Sequence, residues 1–165
     1  MMNIQEQGLG WRFAGELLSG MTGGSGSNPK REMVRPSASV FRSEEVPAKG
    51  PYILIVEDNE ADEFLIRRAI EGAGLDAKLH VIRDGEQAIR YFDLNDGVDS
   101  PEVPDLVILD INLPKRAGGE ALRHMRHSLS CARALVIGVS TSDSVLEREE
   151  LTKLGAYEYF RKPSE

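Results

Sequence analysis

Leu106-Val107-Ile108-Leu109-Asp110-Ile111-Asn112-Leu113-Pro114 is an apolar run that ends abruptly on an acid and then on a turn. Upstream, Tyr52-Ile53-Leu54-Ile55-Val56 ends on Glu57-Asp58-Asn59; downstream, Leu135–Val139 ends on Ser140 and Tyr157–Phe160 leads to Lys162-Pro163. Runs this short and this continuously apolar suit strands buried on both faces, as in a parallel sheet. The residues between them form amphipathic stretches of helix length, so the pattern from Pro51 onward is a series of βα units. The expected strands are 52–56, 78–82, 105–110, 134–139 and 157–160. The expected helices are about 61–73, 84–94, 118–128 and 143–154. In the first helix Ala61, Leu65 and Ala69 recur beside Phe64, Ile66 and Ile70 as a buried stripe, and Gly72 and Gly74 suit its end. The segment 93–104, with Asn95-Asp96-Gly97 and two prolines, reads as a long exposed loop.

Composition narrows the function. A chain of 165 residues with 41% hydrophobic content supports one well-buried core rather than two full domains. Residues 1–50 carry six basic and five acidic side chains, leaving fourteen basic and twenty-two acidic ones in 51–165, a balance of −8. A domain so acidic, with no basic stripe, is a poor binder of phosphate backbones, so direct nucleic-acid binding is not expected. No stretch approaches membrane-spanning length, and no membrane partner is expected. The single cysteine, Cys131, excludes an internal disulfide and fits a reducing compartment such as the cytoplasm. Cys131 has no evident base partner, and His80, His124 and His127 lack metal-ligand spacing, so these residues read as structural or solvated. Residues 1–50 hold eight of the sixteen glycines and read as a flexible Gly/Ser-rich tail. Its one periodic piece is Trp11–Met21, where Trp11, Ala14, Leu18 and Met21 share a helical face beside Phe13 and Leu17. Gly20 to Gly26 lacks the Gly-Lys-Ser/Thr ending of a phosphate-binding loop.

In an open parallel α/β sheet, ligands bind in the crevice at the strand C-termini. If the strands ending at Val56 and Leu109 are neighbours, Glu57, Asp58 and Asp110 crowd together. Three carboxylates in such proximity raise one another's pKa unless a cation intervenes. Magnesium suits the set, because it takes oxygen ligands from one or two carboxylates, with waters, carbonyls or phosphate completing its shell. Three carboxylates, Mg2+ and Lys162 then sum to zero charge, a site able to receive a phosphoryl group.

The motifs Ile53–Asn59, Leu109–Pro114, Gly118, Val139-Ser140-Thr141-Ser142, Leu154-Gly155-Ala156 and Tyr159–Pro163 together resemble the receiver domain of two-component response regulators. The resemblance covers 51–165. It implies a flavodoxin-like, doubly wound, parallel five-stranded sheet in the order 2-1-3-4-5. It also implies that Asp110 accepts phosphate from a sensor histidine kinase or phosphotransfer protein, with Glu57, Asp58, Asp110 and the Asn112 backbone carbonyl holding Mg2+. Ser140 and Lys162 would bind phosphoryl oxygens, the Lys162-Pro163 peptide would be cis, and Tyr159 would be an aromatic switch turning inward as Ser140 shifts. Such a domain catalyses only its own phosphorylation and dephosphorylation. The 112–115 turn and the loop before Pro104 are most similar to single-domain receivers that serve phytochrome-type kinases.

Receivers normally end in a fifth helix, and here the sequence stops at Glu165, so that helix is missing or truncated. Truncation and coverage by a partner, including a second copy in a homodimer, are the favoured readings. A fold-back of Trp11–Met21 is the third. Two other functions compete with phosphoacceptance. A phosphorylation-independent binding module is disfavoured by the intact Asp58, Asp110, Ser140 and Lys162. An aspartyl-phosphate phosphatase is disfavoured because Asn112 cannot be the second acid its Asp-x-Asp motif needs.

Overall fold

The computed structural model describes residues 50–99, 101–142 and 144–162. Five strands, β1 (Tyr52–Val56), β2 (Lys78–Ile82), β3 (Leu106–Asp110), β4 (Leu135–Ser140) and β5 (Glu158–Arg161), alternate with four helices. These are α1 (Glu60–Gly72), α2 (Gly85–Asp96), α3 (Gly118–His127) and α4 (Val145–Lys153). All strand pairs are parallel and their order is β2-β1-β3-β4-β5, the doubly wound arrangement the sequence implies. Among the described residues no helix follows β5, and no helix is long and apolar enough to cross a membrane.

The alternation of side chains splits the core in two. Leu54, Val56, Val107, Leu109 and Val136 pack against residues of α2, α3 and α4, including Phe92, Leu122, Met125 and Leu151. Ile53, Ile55, Leu106, Ile108, Ile137 and Val139 face the other way, toward Ile66 and Ile70 of α1. Each such side chain, fully buried, contributes about 1.5–3 kcal/mol. The α1 stripe differs from expectation in one respect. Phe64 is 61% exposed and Ala61 is exposed, while Leu65, Ile66, Ala69 and Ile70 meet the sheet. The helix turns its 66/70 face inward because those positions, with Leu65 and Ala69, form the stripe at helical spacing. Gly74 then ends the helix in the left-handed region, at φ 70°.

The segment 93–104 also departs from an exposed loop. Helix α2 continues through Asp96, and the polar side chains at its end are anchored rather than solvated. Asn95 is buried; its amide donates to the Tyr91 carbonyl (3.0 Å) and its side-chain oxygen accepts from the Glu102 N–H (2.9 Å). Asp96 accepts from the Ser128 and Ser130 hydroxyls (2.7 and 2.6 Å) and from the Leu129 and Ser130 N–H groups (2.9 Å each), tying α2 to the turn after α3. Those contacts hold its carboxyl well below the usual range, the Ser130 hydroxyl most of all. Arg126 of α3 joins the loops before β4 and β5 by donating to the carbonyls of Ala132, Ala134 and Gly155 at 2.6–2.9 Å.

The turn after β3 is fixed from α2. Asp84 caps that helix, accepting from the Gln87 N–H (2.8 Å), and its other oxygen lies 2.6 Å from Lys115 Nζ. Lys115 has φ 64°, a left-handed conformation disfavoured for a side chain of its size. The Lys115 ammonium and the capped N–H depress the Asp84 carboxyl from 3.8 to about 2. A depressed carboxyl adds stability that is fully present above its unfolded pKa and is lost as pH falls through the folded one. Urea midpoints of the wild type should therefore fall more steeply than those of Asp84→Asn between about pH 4 and pH 2. Parallel curves would show that the pair adds nothing.

Candidate functional site

The strand register brings the four ends together. Val56 pairs with Leu109, Asp110 with Val139 and Ser140 with Arg161, so Glu57, Asp110, Ser140 and Lys162 emerge at one edge of the sheet. Gly118 lets α3 approach that edge: a Cβ there would fall 2.2 Å from the Asp110 carbonyl oxygen, closer than any side chain tolerates. The Gly118 N–H donates to the Ile111 carbonyl (3.0 Å) and closes the turn.

At the centre is the Lys162 ammonium, 5% exposed as a residue. It lies 2.7 Å from Asp110 Oδ2, 2.8 Å from Glu57 Oε2 and 2.8 Å from Asp62 Oδ2. Glu57 is fully buried, Asp110 is 3% exposed and Asp58 is exposed. One carboxylate oxygen from each of these three acids falls within 4.8 Å of the others. Burial pushes the Glu57 carboxyl up to about 7, the Lys162 ammonium opposes that shift, and the charge of Asp110 adds to it. Burial works against the charge on Lys162, but the carboxylates of Asp110, Asp62 and Glu57 outweigh it and raise its pKa.

The remaining expected residues surround this cluster. The Asn112 N–H donates to Asp110 Oδ1 (2.9 Å), and its side-chain amide donates to Ser140 Oγ (3.1 Å). Ser140 is fully buried; its hydroxyl donates to Glu147 Oε2 (3.3 Å) and accepts from the Ser142 N–H (3.1 Å). Tyr159 points inward, 5% exposed, and its hydroxyl donates to the Ser142 carbonyl at 2.7 Å. Its ring lies beside Gly138, where a Cβ would be in ordinary contact with it at 3.6 Å and tight against Leu151 at 3.2 Å. The Lys162-Pro163 peptide, expected to be cis, lies outside the described residues.

Asp62 was missed by the sequence reading. Asn59 caps α1, accepting from the N–H groups of Ala61 and Asp62, and this sets Asp62 in the first turn with its carboxylate over the pocket. The legible signal was the helix start: an Asn directly after an acidic strand end places the third helical residue beside that end. With Asp62 the pocket holds four acids against one ammonium.

The donor set fits a hard divalent cation. All candidate ligands are oxygens, the acids exceed the contacting cation by three charges, and the buried Glu57 Oε2 has no aligned hydrogen-bond donor. Such an edge, with acids at the C-termini of β1 and β3, a hydroxyl at β4 and a lysine after β5, forms an acidic, oxygen-lined pocket at the strand C-termini of a doubly wound sheet.

Residues 53–165 match the model of the response regulator receiver domain, and the chain belongs to that family of two-component signalling domains, whose members receive phosphoryl groups from histidine kinases. Among curated proteins it is 37% identical over 113 residues to the probable methanogenesis regulatory protein FilR2 of Methanothrix harundinacea, covering 67% of this chain and 72% of that one. It is similar to the Mn2+-bound form of response regulator Rcp1 (TM-score 0.62, 29% identity, covering 70% of this chain and 83% of that one); Rcp1 is a Synechocystis protein. It is also similar to the phosphorylated cyanobacterial phytochrome response regulator RcpA, with TM-score 0.61 and 31% identity over 69% of this chain and 81% of that one.

Removing the ammonium should expose the mutual repulsion of the acids. Lys162→Met is expected to cost about 3–5 kcal/mol in urea denaturation without divalent ions, since it leaves buried carboxylates uncompensated. The loss should shrink as pH falls and Glu57 takes a proton. An unchanged midpoint above neutral pH would contradict this reading of the cluster.

Proposed function

We propose that this chain is a phosphoacceptor receiver in which Asp110 takes a phosphoryl group from a histidine-kinase phosphohistidine and thereby alters a protein-binding surface. The observation that carries this reading is the convergence of Asp110, Glu57, Asp58 and Lys162 at one sheet edge, with the ammonium 2.7 Å from the Asp110 carboxylate. A carboxylate oxygen of Asp110 forms a bond to phosphorus as the phosphorus–nitrogen bond of the donor breaks, and the imidazole leaves with the bonding electron pair. The product is an acyl phosphate, and the donor histidine recovers its proton from solvent.

Glu57, Asp58, Asp110 and the Asn112 carbonyl would hold Mg2+, which when bound supplies charge neutralisation for the phosphoryl oxygens. The protein's own part is positional. Lys162 is preorganised to pair with one phosphoryl oxygen, and the Ser140 hydroxyl, now shared among Asn112, Ser142 and Glu147, is available to another. Such a recruitment of Ser140 removes its bond to Glu147 of α4. Tyr159 holds the Ser142 carbonyl beside it, so the change passes to α4 and the β4–α4 loop as a shift between two packed arrangements.

The likeness to RcpA, a cyanobacterial phytochrome response regulator, supports a phytochrome-type sensor kinase as donor. The setting is the cytoplasm. The chain acts as substrate and catalyst of its own modification, without turnover on other phosphomonoesters.

Two outcomes test the proposal. Asp110→Asn should abolish labelling by acetyl phosphate or a cognate kinase, while Asp62→Asn retains it; undiminished labelling of Asp110→Asn would defeat the assignment. Mg2+ at about a hundredfold excess over its Kd should stabilise the wild type by about 2.7 kcal/mol. Chelation should reverse that gain and Asp58→Ala should remove it; equal stabilisation of the variant would place the ion elsewhere.

A further inference from the structure

Helix α4 has few points of attachment. Of its nine residues only Glu147 and Leu151 are not exposed, and even the large apolar Val145 and Leu146 face outward. Leu151 packs into the core and anchors the second half of the helix. Glu147, one turn earlier on the same face, holds the first half through polar contacts. Its N–H donates to the Ser144 hydroxyl (3.3 Å), and its Oε2 accepts from the Ser140 hydroxyl (3.3 Å) and lies 3.5 Å from that of Tyr159. Arg148, next in the chain, stands over the Tyr159 ring, 5.2 Å from its centroid. The remaining ion pair, Glu150 with Arg123 at 3.5 Å, is solvent-exposed and adds little.

The Ser140 contact is an exclusive one. A serine hydroxyl has one proton to donate and two lone pairs with which to accept. Both lone pairs are in use, by the Asn112 amide and the Ser142 N–H at 3.1 Å each, and the proton is directed at Glu147. A phosphoryl oxygen on Asp110 only accepts, so it engages the Ser140 hydroxyl by turning that proton away from Glu147. The carboxylate and the phosphoryl group cannot both have it. Because Glu147 is ionised, its bond to Ser140 is also stronger than one to a neutral acceptor.

We propose, on the reading of Asp110 as phosphoacceptor, that Glu147 is a positioning residue that opposes the modified state. It competes with the phosphoryl group for the single Ser140 proton, and so sets how tightly the pocket holds that group. When Glu147 loses the competition, the first half of α4 loses its inner tether and Arg148 is free to leave the Tyr159 ring. Leu151 keeps the second half in place, so the helix loosens from its N-terminal end.

Beryllofluoride with Mg2+, an analogue of an aspartyl phosphate, reads this competition without turnover. Its Kd, from a titration followed by amide NMR shifts, should fall about tenfold in Glu147→Gln, as a charged hydrogen bond of the free state becomes a neutral one. Glu149→Gln removes the same charge from the exposed side of α4 and should leave the Kd unchanged. In a Ser140→Ala background the gain from Glu147→Gln should vanish, because no proton is left to contest. Unchanged affinity in Glu147→Gln, beside a wild type that binds the analogue at Asp110, would overturn the role of Glu147 and leave the phosphoacceptor reading standing. An equal gain in Glu149→Gln, or a gain that persists without the Ser140 hydroxyl, would overturn it too. A wild type that does not bind the analogue would remove both. Should Glu147→Gln fail to fold, hydrogen exchange of the wild type decides the matter. Beryllofluoride should speed exchange of the Arg148 amide, bonded to the Ser144 carbonyl, and spare the Leu154 amide, bonded to that of Glu150; unaltered exchange at Arg148 would overturn the proposal.

Discussion

The attraction between one buried ammonium and three carboxylates, at 2.7–2.8 Å, is the interaction on which this end of the molecule depends. Lys162 follows the last strand, Glu57 the first, Asp110 ends the third and Asp62 lies in the first helix, so the contact ties together segments a hundred residues apart. Burying any of these charges alone would be costly; their mutual proximity makes the arrangement tenable. The cluster nevertheless remains over-acidic; burial above all, with the charge of Asp110 adding to it, leaves Glu57 with a carboxyl raised to about 7. Glu57 Oε2, buried without an aligned donor, expresses the same imbalance. A pocket with surplus negative charge and hard oxygen donors is poised to bind a small divalent cation rather than to stand alone.

The second constraint is steric, and it places the helices around that edge. Gly118 allows α3 to begin almost in contact with the Asp110 carbonyl, and Gly85 does the same for α2, where a Cβ would come within 2.0 Å of the Arg116 carbonyl oxygen. Lys115 accepts a left-handed backbone so that its ammonium can reach Asp84. The loop after β3 is therefore held from α2, and the Asn112 N–H and amide can address Asp110 and Ser140 together. On the far side, the Ser140–Glu147 and Tyr159–Ser142 hydrogen bonds connect the pocket to α4.

Strands β1, β3 and β4 and their ends were legible because each combines an apolar run with a chemically distinct residue at or just after its end. That pattern needs no tertiary information. Asp62 was legible only as a first-turn acid behind the Asn59 cap; its contact with Lys162 depends on the angle at which that cap launches α1. Phe64 was misassigned for a related reason: periodicity shows that a helix has an apolar side but does not decide which of several adjacent apolar residues faces the sheet. Asn95-Asp96-Gly97 resembled a turn, yet Asp96 is retained in the helix by partners at 128–130 that lie more than thirty residues away. The misreadings thus fall where a polar side chain finds a distant partner or where a helix rotates about its own axis.

The central claim is that the acidic edge exists to form an acyl phosphate on Asp110. Borohydride reduction of the chain after incubation with a phosphodonor and Mg2+, followed by peptide mass spectrometry, tests it directly, because reduction converts an aspartyl phosphate to homoserine. The account predicts homoserine at position 110, dependent on both phosphodonor and magnesium. Homoserine at another acid of the cluster, or none at 110 under conditions that label the protein, would contradict it.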